Sequence, residues 1–182
     1  IVTKHNNRIL SEIVEIKDDH IFILPFNSTE NLIKSYKVEL LTNYNKPVPN
    51  NSWFGRVINS NAEPTDNKGA LHKRLHSSKY EPTTKPQITY PPYQANLGID
   101  YVNIFLNCQH GQIISLISPT DSSHKNLVST IIKKSHFPIK IIALIGKTSS
   151  EIKHFIESSP QNNSIIISSP HNDSALSQRN TL

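Results

Sequence analysis

Between residues 109 and 157 the chain spells strand, polar loop, helix, strand, turn and helix, and this order limits the fold more than any other feature. Residues 113–118 (IISLIS) are a short apolar run rich in isoleucine, as in a buried strand. Residues 119–126 (PTDSSHKN) are a polar loop, and 127–134 (LVSTIIKK) carry apolar residues at helical spacing. A second apolar strand, 139–146 (IKIIALIG), ends in glycine. Two strands joined by one helix make a βαβ unit, which implies a parallel sheet and an α/β fold. The loop that leaves the first strand and opens the helix is where such sheets bind phosphate. Function is therefore to be sought there.

The flanks fill in the architecture. Residues 11–26 (SEIVEIKDDHIFILPF) place apolar residues on either side of Lys17-Asp18-Asp19, which predicts a hairpin. Residues 36–41 (YKVELL) are a further candidate strand, and 43–52 (NYNKPVPNNS) read as a linker. A new unit opens at 53–59 (WFGRVIN) and turns through Ala62-Glu63-Pro64. Residues 67–94 have little periodicity, and prolines at 82, 86, 91 and 92 predict an extended surface crossing. In 98–106 (GIDYVNIFL), Ile99, Val102, Phe105 and Leu106 share one helical face. The tail from Ser164 offers a third apolar strand, a polar loop and a helix start.

Composition excludes several functions. The net charge of +5 is scattered among acidic residues, without the basic stripe and interleaved aromatics of a nucleic-acid surface. No apolar run approaches the ~20 residues of a membrane span, so no integral membrane segment is expected. The opening IVTKHNNR is not a secretory signal, and one cysteine, Cys108, rules out an internal disulfide framework and suits a reducing compartment. With no methionine among 182 residues, the chain is expected to be a segment of something longer. Nine histidines invite a metal reading, but His72 and His76 lack cysteine or carboxylate companions at ligand spacing and read as surface residues. Cys108 has no basic cluster beside it and reads as an inert, partly buried thiol.

Several fragments then fall into a recognisable order. Phe54-Gly55-Arg56-Val57-Ile58-Asn59, followed by Glu63-Pro64 and Asp66, is similar to a GRV-(ID/LN)-x-x-G-x-P-(L/I)-D-G opening. Gly98-Ile99-Asp100-Tyr101-Val102-Asn103 is similar to T-G-(I/V)-R-A-I-(D/N), and His110-Gly111-Gln112 to G-x-G-Q. Leu144-Ile145-Gly146, Glu151-Ile152 and Phe155-Ile156-Glu157 follow L-I-G-E-R-G-R-E-V-x-x-F-(I/V)-E. In this order the motifs resemble those of the flagellar and type III secretion export ATPases, relatives of the rotary ATP synthase catalytic subunits. From residue 98 to 157 the spacing fits without insertion or deletion. The resemblance implies part of a small antiparallel β-barrel domain over residues 1–45 and the N-terminal part of a RecA-like nucleotide-binding domain over 46–182. It also implies ATP and Mg²⁺ as ligands, partners in the flagellar or type III export apparatus, and a cytoplasmic place beside the inner-membrane export gate. Homo-hexamers are formed in the family, a property not carried over to this chain.

The phosphate loop itself departs from the pattern. In G-x-x-x-x-G-K-(S/T), glycines let backbone N–H groups curl around phosphates, the lysine reaches their oxygens and the hydroxyl holds Mg²⁺. That register holds Ser118, Pro119, Thr120, Asp121, Ser122, Ser123, His124 and Lys125 here, with Asn126 following. Pro119 fixes φ, and Ser123 replaces the glycine before the lysine position. Asp121 brings a carboxylate toward the phosphates, where a like-charge pair at ~4 Å costs about 1 kcal/mol in water and ~4 at an effective dielectric of 20. His124 takes the lysine position and Lys125 that of the hydroxyl, both expected as solvated polar residues at a helix start. Lys147 stands where the family has the glutamate that orients attacking water, and reads as an exposed lysine at a strand end. The chain is thus expected to be a truncated, motif-degraded relative, weakly active or inactive. The alternatives are a non-catalytic interaction module of the export apparatus and a decaying gene fragment without function.

Overall fold

The N-terminal hairpin forms where alternation places it: β1 (Ser11–Lys17) and β2 (His20–Pro25) pair antiparallel. Asp18 turns the chain at φ 44°, a left-handed conformation that a short polar side chain tolerates. The register steps from Ile13 to Glu15, so Val14 sits in a bulge that raises the local twist. The computed structural model describes residues 1, 8–26, 36–41, 48–72, 93–119, 121–159 and 163–182, with the backbone alone at 121–123. The first half of the 43–52 linker, the prolines at 82, 86, 91 and 92, His76 and Thr120 lie outside the described residues. The strand expected at 36–41 is not formed. Lys37 makes a single bridge, and Val38, Leu40 and Leu41 stay exposed without a ladder beside them.

The second sheet is parallel, in the order β3 (Val57–Ile58), β5 (Ser164–Pro170), β4 (Lys140–Lys147). β4 runs into α3 (Ser149–Ser158), which returns the chain to β5 alongside. This is the βαβ unit of the fold, one element later than the sequence suggested. Residues 113–118 do not join it: they have no ladder partner among the described residues, and Ile113 and Ile117 are 93% and 91% exposed. A strand needs a neighbour to take its N–H and C=O groups, and apolar content alone does not supply one.

β5 is central because its residues suit burial on both faces. Ile165 joins Trp53, Ile58 and Leu71 in the core, with Phe54, Ala62 and Ile167 packed against them. Ile166 is buried too, as are Ile152 of α3 and Leu176 of α4 (Ala175–Asn180), two helices that pack on β5. Ser174 caps α4 and, with Ser177, donates to the Phe26 carbonyl at 2.7 and 3.1 Å. Arg179 adds an ion pair to Glu12 at 2.5 Å, so α4 docks the hairpin onto the sheet.

The described residues hold two further α-helices. In α1 (Asp100–Leu106) Val102 is buried, as is Ile99 at its cap, but Phe105 is 83% exposed and Leu106 also faces outward. The helix stops at left-handed Asn107 before its expected apolar face finds cover. α2 (Asp121–Lys134) starts at Asp121 rather than at Leu127, so much of the expected loop is helix. The end of α2 meets the approach to α1 at Gly98, whose φ is +76° and whose added Cβ would stand 2.3 Å from the Lys134 carbonyl.

Gly98 and Gly111 both have positive φ, yet nothing lies within 4 Å of a Cβ at Gly111. Gly111→Ala is expected to cost about 1 kcal/mol of backbone strain. Gly98→Ala adds overlap with the Lys134 backbone and should cost a further ~1–3 kcal/mol. Urea unfolding of both variants checks this, and equal midpoints would show that the close approach is not felt.

Candidate functional site

The stretch predicted to hold phosphate surrounds the start of α2. Ser118 is half-buried, and Pro119 is exposed at a bend. Asp121, Ser122 and Ser123 already have helical backbone, so their N–H groups are the first of a helix, which find no partner within it. His124 is half-buried, and Asn126 is exposed with its carbonyl accepting from Thr130 Oγ1 at 2.8 Å. Lys125 is not simply solvated. Its ammonium lies 2.6 Å from Glu151 Oε1, in the first turn of α3.

Glu151 is used on both oxygens. Oε2 accepts from the Thr148 backbone N–H at 3.0 Å and from Thr148 Oγ1 at 2.9 Å, while Thr148 Oγ1 accepts from the Glu151 N–H. This capping box satisfies two orphan donors at the start of α3. The Lys125 hydrogen bond first, and then those from the Thr148 backbone and hydroxyl, lower the Glu151 carboxyl to about 2. Lys147 ends β4 immediately before this cap, half-buried, and its carbonyl accepts from His171 N–H at 3.1 Å. The structure therefore brings Lys125, Lys147 and the Thr148–Glu151 box to one corner, where the sheet's carboxyl end meets two helix starts. Glu151 as Lys125's partner was not legible beforehand, because 26 residues and a whole strand separate them.

A cleft of about 1210 Å³ opens elsewhere, between the end of β2, the loop after β3, α3 and the β5–α4 turn. None of the described residues in 118–126 lines it. Several of its polar groups serve the fold. Asn59 Oδ1 accepts from the N–H groups of Asn61 and Glu63, both at 2.9 Å, and Asp173 accepts from Ser169 at 2.9 Å. Asp66, on the same wall, receives Arg56 through two bonds of 2.7 and 2.9 Å and the N–H groups of Val57 and Lys68 at 3.1 Å. The Arg56 guanidinium holds the Asp66 carboxyl well below the usual carboxylate range, helped by those N–H groups against the cost of burial. Opposite charges ten residues apart across a Pro-containing turn were the available signal for this clamp. Cys108 is fully buried, and no group of three or more metal-ligating side chains gathers among the described residues.

Residues 98–182 match the ATP synthase alpha/beta family, nucleotide-binding domain. The chain is 27% identical over 152 residues to the type 3 secretion system ATPase of Sinorhizobium fredii (strain NGR234), covering 81% of this chain and 33% of that protein. It is 34% identical over 144 residues to the flagellum-specific ATP synthase of Helicobacter pylori (strain 26695), covering 73% of this chain and 31% of that protein. It spans about a third of the length of these curated relatives. Among solved structures, the assembled ATPase EscN in complex with its central stalk EscO, from the type III secretion system of enteropathogenic E. coli, shares the fold. The TM-score is 0.82 at 20% identity, over 99% of this chain and 45% of that one.

The Asp66 clamp has a pH signature. Its folded carboxyl is depressed, so its contribution is complete above the unfolded value of ~3.9 and fades as pH falls toward the folded one. Asp66→Asn is expected to lower Tm by a few degrees, roughly 3 °C, at pH 7. The gap between wild type and variant should close below about pH 4. Thermal unfolding from pH 7 to 2.5 measures it, and a gap that does not narrow in acid would refute the clamp.

Proposed function

The chain belongs to the family of flagellar and type III secretion ATPases, and on that premise we propose that it is the opening part of such a protein, with a phosphate loop that no longer grips ATP. In this reading residues 1–45 are part of the family's barrel domain and 46–182 the first part of its nucleotide-binding domain. Its setting is the cytoplasm, against the proteins of an export apparatus. Bound Mg²⁺ would neutralise phosphate charge. The residues present do not fit the pair of groups.

The observation that carries this reading is the Lys125–Glu151 ion pair. The position where the family has a Mg²⁺-holding hydroxyl carries an ammonium instead, and that ammonium is turned to a carboxylate of the same chain. His124, at the lysine position, is shorter than a lysine and half-buried. Lys147 reverses the charge where the family has glutamate, leaving no carboxylate at that position to orient water. The second reading, a docking module without catalysis, is favoured by the apolar side chains that β1, β2 and residues 113–117 leave exposed. No helix among the described residues is long and apolar enough to cross a membrane.

Titration with Mg·ATP tests the proposal. The expected Kd is weaker than about 1 mM, a binding free energy smaller than ~4 kcal/mol, with no phosphate release above background. Micromolar affinity or Mg²⁺-dependent turnover would overturn it. Restoring the loop by Ser118→Gly, Ser123→Gly, His124→Lys and Lys125→Thr together should tighten binding about tenfold or more, worth ~1.4 kcal/mol.

A further inference from the structure

α2 is a helix held mainly at its ends. Among its described side chains none is fully buried, so packing anchors it less than it anchors α3 or α4. At the C-terminal end, Lys140 Nζ donates to the Ile132 carbonyl at 2.5 Å and the Gly98 backbone lies against Lys134. At the N-terminal end residues 113–118 belong to no ladder, so no strand fixes where the helix begins. Among the described residues, one tie there to the rest of the fold is Lys125 Nζ to Glu151 Oε1 at 2.6 Å.

We propose that Lys125 and Glu151 form a clamp, built into the fold, that holds the first turn of α2 on the start of α3 and opens when either charge is lost or screened. The clamp draws on two features of the corner. Glu151 is held in place by the Thr148 capping box, so one partner is already oriented and little freedom remains to be lost when the lysine arrives. Lys125 stands in the first turns of α2, whose own apolar face is incompletely covered, so a modest interaction shifts the local opening of that turn without affecting the sheet. Both side chains are partly exposed, which makes the pair accessible to salt.

Hydrogen exchange of the whole chain, measured with no nucleotide present, tests the clamp. Lys125→Met and Glu151→Gln are each expected to speed exchange in residues 121–126 roughly threefold to fivefold, the range of a partly exposed pair. Amides of β5 should stay unchanged. Glutamine still serves a capping box, so Glu151→Gln opens the clamp while α3 keeps its cap. The double variant should exchange no faster than either single one. Thr148→Ala should speed the start of α3 far more than that of α2. Raising NaCl from about 20 to 500 mM should speed residues 121–126 in wild type and not in Lys125→Met, a readout that survives if a Glu151 variant folds poorly. Changes under about 1.5-fold in both single variants, or a salt response identical in wild type and Lys125→Met, would overturn the clamp. ATP binding by the wild type would overturn the nucleotide reading above and leave these exchange results as they stand.

Discussion

β3, β4, α3 and α4 all lean on β5. It pairs in parallel with β3 on one side and β4 on the other. Alternate residues of a strand face opposite ways. Accordingly Ile165 and Ile167 meet the Trp53 cluster, while Ser168 opens on the cleft lined by Ile152 and Ile156 of α3. Burying isoleucines such as 165 and 166 is worth about 1.5–3 kcal/mol each, more than any exposed ion pair in the molecule supplies. Arg56 joins this strand to the turn after β3. Its carbonyl accepts from Ile166 N–H at 3.1 Å while its guanidinium grips Asp66. The short strand β3 is thus held by a charge clamp where two residues of ladder would be too few.

What was legible in the sequence follows from how local each signal is. The hairpin, β4, α3 and β5 rest on alternation and apolar runs within one segment, and they stand where those patterns put them. Residues 113–118 carry as good a strand pattern and yet form none. A ladder is a property of two segments, and the pattern of one says nothing of whether its partner is at hand. Phe105 and Leu106 fail similarly: spacing puts them on a helical face, but only packing decides whether the face is covered. At the candidate site, Lys147 ends a strand as its apolar run suggests, whereas His124 and Lys125, expected in the loop at a helix start, lie a turn inside α2. The Lys125–Glu151 contact and the Arg56–Asp66 clamp are tertiary facts, the first across a strand and the second across a turn.

The early start of α2 links these two lessons. Pro119, then Thr120, Asp121 and Ser122, is helix-opening chemistry. Proline cannot continue a ladder, small polar residues suit the cap, and a carboxylate in the first turn interacts favourably with the positive end of the helix dipole. Each of these features also works against holding a phosphate there, since the proline stiffens the backbone that would curl and the carboxylate repels the ligand. The same few residues therefore favour a helix from Asp121 and disfavour an anion beside it, and one turn on the charge of Lys125 meets a carboxylate of the chain's own α3.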